Sequence, residues 1–64
     1  TDAGVAGLMA HAGVFGACYN VLINLGTITD TEFVSSMRTK TSELMQQANA
    51  IKERINSVIM ESIQ

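Results

Sequence analysis

From Ala3 to Thr29 the chain carries no aspartate, glutamate, lysine or arginine, and Gly4, Gly7, Gly13 and Gly16 all fall in the first half of that run. A segment this apolar has to be covered, so the rest of the fold must supply its cover. A helix over residues 3–25 accounts for the run. The β-branched stretch from Tyr19 to Leu25 also reads as a strand, but the length of the whole run decides for helix. Each glycine costs a helix interior roughly 0.5–1 kcal/mol against alanine, so four of them make sense only where close packing uses the missing side chains. Thr1 or Asp2 is the candidate N-cap.

Gly26 stands where a left-handed residue ends a helix, and residues 26–29 form the turn, with Thr27-Ile28 as its corner. Thr29-x-x-Glu32 then reads as a capping box, with Asp30 adding negative charge at the positive end of the next helix. That second helix, residues 30–62, meets no proline or glycine and is about 50 Å long at 1.5 Å per residue. Its apolar seam reads Val34, Met37, Thr41, Leu44, Ala48, Ile51, Ile55, Val58 and Ser62, with Met45, Ile59 and Ile63 widening it. Alternating steps of three and four are the spacing of heptad packing. The expected fold is all-α, an antiparallel helical hairpin over residues 1–64.

Two helices share one seam, and a chain of 64 residues with 47% hydrophobic but only 5% aromatic content has few large rings with which to build a core alone. A domain this short buries only about 60% of its unfolded surface. Burying the remaining apolar faces needs a partner, so the hairpin is expected to be a fragment, a swapped hairpin or one piece of a homo-oligomer.

Charge and polar residues limit the function classes. The net charge is −2, and the basic residues Arg38, Lys40, Lys52 and Arg54 are interspersed with Glu43 and Glu53, which gives nucleic-acid binding little support. A membrane hairpin is a third reading, because the charge-free run is long enough to span a bilayer. Against it, His11, Asn20 and Asn24 lie inside the run, no Lys/Arg cluster flanks it, and Tyr19 stands alone where an aromatic belt is needed. No basic segment precedes the run as a secretory signal requires. The single cysteine, Cys18, fits a reducing, cytoplasmic setting and reads as a small buried hydrophobe.

The candidate site is a stripe. On a straight helix Asp2, Met9, Gly13, Gly16, Asn20 and Asn24 align, so two amides and an acid flank a floor of small residues. Such a face either receives another helix, with the amides bonded across the contact, or takes a flat polar ligand; Asp2 is either part of it or only a cap. His11 lies on the opposite side, near Cys18 and Leu22, and no second ligand at metal spacing accompanies it. No metal site is expected.

Gly13-Val14-Phe15-Gly16-Ala17, then Tyr19-Asn20-Val21-Leu22-Ile23-Asn24-Leu25, then Ile28-Thr29-Asp30 and Phe33 resemble the C-terminal end of the cyclodeaminase domain of formimidoyltransferase-cyclodeaminases and of the related bacterial methenyltetrahydrofolate cyclohydrolases. The likeness extends from Thr1 to about Val34, and the long helix beyond it matches in character more than in letters. The resemblance implies a longer all-α helical-bundle domain, of which this hairpin is the two C-terminal helices packed on the remaining helices of the same domain; that domain forms dimers within a ring-shaped assembly, with tetrahydrofolate as the carrier of the substrate and no metal. It implies conversion of 5-formimidoyltetrahydrofolate to 5,10-methenyltetrahydrofolate and ammonia, a step of histidine degradation. Asn20, Asn24 and Asp2 become candidate folate-binding residues, while the catalytic acid is expected outside these residues. The alternatives are a cyclohydrolase or a non-catalytic oligomerisation module.

Overall fold

The computed structural model describes residues 2–63, which form two helices, α1 (Asp2–Leu25) and α2 (Thr31–Ile63), in a hairpin of 52 × 15 × 10 Å. No strand occurs among the described residues, so the all-α expectation holds. The helices are antiparallel: Gly7 lies against Ile55, His11 bonds Asn49 and Cys18 approaches Thr41, the partner on α2 receding as α1 advances. Asp2 stands in the first turn of α1 rather than before it, and Thr1, the other candidate cap, is outside the described residues.

The α1 side of the seam runs through Gly4, Gly7, His11, Phe15, Cys18, Leu22 and Leu25, all buried or half-buried. The α2 side runs through Val34, Met37, Thr41, Met45, Ala48, Lys52, Ile55 and Ile59. This corrects the heptad reading. Leu44, Ile51 and Val58 were expected in the seam and are 52%, 61% and 59% exposed, and Ser62 is exposed as well. The cause is the mismatch between a 3.5-residue pattern and a 3.6-residue helix: without supercoiling, a strict heptad row drifts about 20° per seven residues out of the contact. Met45, Lys52 and Ile59, one position further on in each heptad, take the places of Leu44, Ile51 and Val58.

The glycines divide into two pairs. Gly4 is buried, and a Cβ on Gly7 would stand 2.7 Å from Ile55 Cδ1, so the hairpin uses both for close approach. A Cβ on Gly13 or Gly16 would meet nothing within 4 Å. Gly16→Ala is therefore expected to stabilise the hairpin by about 0.5–1 kcal/mol, whereas Gly7→Ala loses that gain to displacement of Ile55. Thermal melts followed by circular dichroism check this. A destabilising Gly16→Ala would show that another element packs on that face in solution.

The turn also departs from expectation. None of the described glycines has a positive φ, so Gly26 is not a left-handed cap. Instead the last turn of α1 tightens: Gly26 N–H donates to Ile23 O at 3.2 Å, Thr27 N–H to Asn24 O at 3.2 Å and Ile28 N–H to Leu25 O at 3.1 Å. These i→i+3 bonds satisfy the carbonyls that a helix end leaves open, and the Thr27 hydroxyl adds a second bond to Asn24 O at 2.9 Å. The start of α2 is capped one residue later than the Thr29 box would have it. Asp30 Oδ1 accepts the Phe33 N–H at 3.1 Å, and Val34 N–H donates to Asp30 O at 3.0 Å, which makes Asp30 the N-cap. Asp30→Ala is expected to cost about 1 kcal/mol, read as a lower melting temperature; Thr29→Ala should leave it unchanged.

Candidate functional site

The stripe Asp2, Met9, Gly13, Gly16, Asn20 and Asn24 is exposed along its whole length. It lies half a turn from the seam residues His11, Cys18 and Leu22, so it points away from α2. Neither amide reaches the second helix. Asn24 Nδ2 donates to the Asn20 backbone carbonyl at 2.9 Å and to Asn20 Oδ1 at 3.4 Å, which joins the two side chains edge to edge on one turn. Bonded this way, the pair leaves the Asn20 NH2 group and the Asn24 side-chain carbonyl oxygen, one donor and one acceptor, without a partner in the hairpin. Asp2, eighteen residues earlier, stands about 27 Å away along the axis, and the structure does not bring it to the amides.

The apolar residues around the stripe are also uncovered. Val5, Leu8, Met9, Tyr19 and Ile23 are 51–74% exposed. α2 covers a single face of α1, so within the hairpin the other apolar faces of the charge-free run stay uncovered. By length and composition α1 is apolar enough to cross a membrane.

The second polar cluster was only half visible in the sequence. His11 Nε2 stands 2.6 Å from Asn49 Oδ1, and its ring stacks on Phe15 at 4.4 Å, with Tyr19 edge-on to Phe15 at 5.8 Å. Asn49 lies on α2 beside the apolar seam and is itself exposed. The signal for it was His11 itself: an imidazole facing the seam needs a partner, and counting back from the turn in an antiparallel hairpin leads to Asn49. His11 and Lys52 border a hollow of about 130 Å³ whose other walls include Gly7, Ala10, Val14 and Ile51. Cys18 is buried, with Sγ 3.9 Å from Thr41 O. Among the described residues no three His, Cys, Asp or Glu side chains come together.

Comparison with known proteins bears on the same stretch. The model of the formiminotransferase-cyclodeaminase family matches residues 1–43, which take in α1, the turn and the start of α2. Formimidoyltransferase-cyclodeaminase of Sus scrofa is 46% identical over 48 residues, 75% of this chain and 9% of that protein, and the Rattus norvegicus protein gives the same figures. Methenyltetrahydrofolate cyclohydrolase of Methylorubrum extorquens is 33% identical over 63 residues, 98% of this chain and 30% of that protein. The chain thus spans less than a third of the length of these relatives. No solved structure matches it. With two thirds of its residues matched by the family model, the stripe of α1 among them, this chain belongs to the formiminotransferase-cyclodeaminase family.

Proposed function

We propose that the chain is part of a folate-dependent, cytoplasmic cyclodeaminase that converts 5-formimidoyltetrahydrofolate to 5,10-methenyltetrahydrofolate and ammonia, and that the outward stripe of α1 faces the folate. The observation that carries this reading is the family match over residues 1–43, the portion of the chain that contains the paired amides. In the reaction, N10 attacks the formimidoyl carbon and forms the N10–C bond. N10 gives up its proton, the amino group of the tetrahedral intermediate takes one up, and the C–N bond to that group breaks as ammonia leaves. Such a step needs a proton donor and a substrate held in a near-attack pose.

The amides suit the second need. The pterin ring presents an N–H beside a carbonyl, an amide-like edge that matches the unpaired NH2 of Asn20 and side-chain carbonyl oxygen of Asn24. The open floor at Gly13 and Gly16, where no side chain intervenes, leaves room for a flat ring. Asp2, about 27 Å along the helix, is within reach only of the far end of an extended ligand. Asn20 and Asn24 are not proton donors of this kind, His11 faces α2 and Asp2 stands far along the helix, so the proton donor is assigned to residues outside this chain. The exposed apolar residues of α1 are assigned to the remaining helices of the same domain.

A second reading, a methenyltetrahydrofolate cyclohydrolase, is favoured by the match that runs over nearly the whole chain. There water adds to the methenyl carbon and the C–N5 bond breaks, giving 10-formyltetrahydrofolate. Both reactions use the same pose of the folate, so the assay separates them. The full-length polypeptide is expected to release ammonia from 5-formimidoyltetrahydrofolate; hydrolysis of 5,10-methenyltetrahydrofolate without ammonia release from the formimidoyl compound would establish the second reading. Failure in both assays, with folded protein, would leave the oligomerisation module.

A further inference from the structure

Three aromatic rings stand one turn apart along α1 and form a ladder anchored on α2. His11 Nε2 lies 2.6 Å from Asn49 Oδ1, the His11 ring stacks on Phe15 at 4.4 Å with 24° between the planes, and Tyr19 meets Phe15 nearly at a right angle, at 5.8 Å and 82°. The ladder starts in the seam, where His11 and Phe15 are half-buried, and ends outside it, where Tyr19 is 55% exposed. A residue advances about 100° round a helix, so Tyr19 lies about 60° from Gly16 and about 100° from Asn20, on the flank of the stripe. Helical side chains lean toward the N-terminus, over the residues three and four before them. For Tyr19 these are Gly16 and Phe15. Phe15 holds the ring edge-on, whereas nothing comes within 4 Å of a Cβ built on Gly16, so a gap separates the Tyr19 ring from the floor of the stripe.

We propose that Tyr19 is a wall of the folate site, its ring packed against a pterin seated on the Gly13–Gly16 floor and held there by the ladder from Asn49. This rests on the folate reading of the stripe and names the part of the substrate that occupies this turn. The amides meet a pterin along its edge and leave its tilt free; an aromatic side chain beside the floor sets the tilt. Flat, polarisable ring systems pack on aromatic side chains face to face or edge to face. Bracing lowers the cost of that contact, because a ring already set against Phe15 gives up less rotamer freedom when the ligand arrives. Two observations favour a ligand over a helix as the cover of this residue: the setting of the ring is fixed without such cover, and the gap beside it leads to the unpaired donor and acceptor of the amide pair. Among the exposed apolar residues of α1, Tyr19 is therefore the one covered by substrate.

Steady-state kinetics of the full-length polypeptide tests this, with the folate substrate it turns over and with a tetrahydropterin lacking the aminobenzoyl part as competitive inhibitor. Tyr19→Leu keeps an apolar side chain and removes the ring. It is expected to raise KM about three- to tenfold, to raise the Ki of the tetrahydropterin by the same factor, and to leave the melting temperature unchanged. Tyr19→Phe, which restores the ring, is expected to bring both constants back to within about twofold of the unsubstituted protein. Phe15→Leu should raise KM when Tyr19 is present and not in the Tyr19→Leu background, as a brace acting through Tyr19 requires. Unchanged KM and Ki in Tyr19→Leu would overturn the inference. If Asn24→Ala still loses catalysis in the same assay, the folate reading survives that result; if Asn24→Ala is also normal, both fall. A raised KM with an unchanged Ki would move the ring to the aminobenzoyl part of the substrate and overturn the pterin assignment. A Tyr19→Leu protein that fails to fold or melts several degrees lower has lost a contact with a neighbouring helix, which overturns the inference as well.

Discussion

Ile55→Asp is expected to lower the stability of the hairpin by about 2–4 kcal/mol, against about 0.5 kcal/mol or less for Gln46→Asp on the outer side of the same helix. Ile55 is half-buried and its Cδ1 lies over Gly7, where the two backbones come closest. Aspartate there gives up that apolar contact and brings a carboxylate against the α1 backbone, where no cation faces it across the seam. Lys52, one turn away on the same helix, moderates the penalty without removing it. Denaturant unfolding of the two variants measures the difference. Equal midpoints for Ile55→Asp and Gln46→Asp would mean that the seam does not run through Ile55.

The same residues show how far the sequence could be read. The hairpin, its turn and the limits of its helices follow from punctuation: a glycine at position 26 inside the charge-free run, and acidic residues at the start of α2. What failed was rotational detail. The three-four spacing that put Leu44, Ile51 and Val58 in the expected seam is a property of α2 alone, whereas the seam is settled by two helices meeting, and a shift of one residue per heptad turned that row outward. Gly26 failed for a similar reason. A glycine permits a positive φ but does not require one, and the i→i+3 bonds of the turn closed the helix without it. Asp30 rather than Thr29 caps α2 because a carboxylate one residue closer reaches the Phe33 N–H directly. At the candidate site, the alignment of Asn20 with Asn24 was legible from a spacing of four, and so was the position of His11 opposite them. The bond from Asn24 to Asn20, which sets the direction of both amides, depends on side-chain torsions that no spacing encodes.

Loss of the Asn24 amide is expected to reduce catalysis without reducing stability. Asn24 is exposed, and its side-chain bonds in the hairpin run only to Asn20, one turn back on the same helix. Alanine is also the better helix former. The measurement that bears most directly on the folate-facing role of the stripe is kcat/KM for ammonia release from 5-formimidoyltetrahydrofolate by the full-length Asn24→Ala polypeptide, read beside its melting temperature. The account predicts a fall of roughly ten- to a hundredfold, about 1.4–2.8 kcal/mol of transition-state stabilisation, at an unchanged melting temperature. A variant that melts several degrees lower yet keeps the kinetics of the unsubstituted enzyme would contradict it, and would assign both asparagines to contacts with a neighbouring helix.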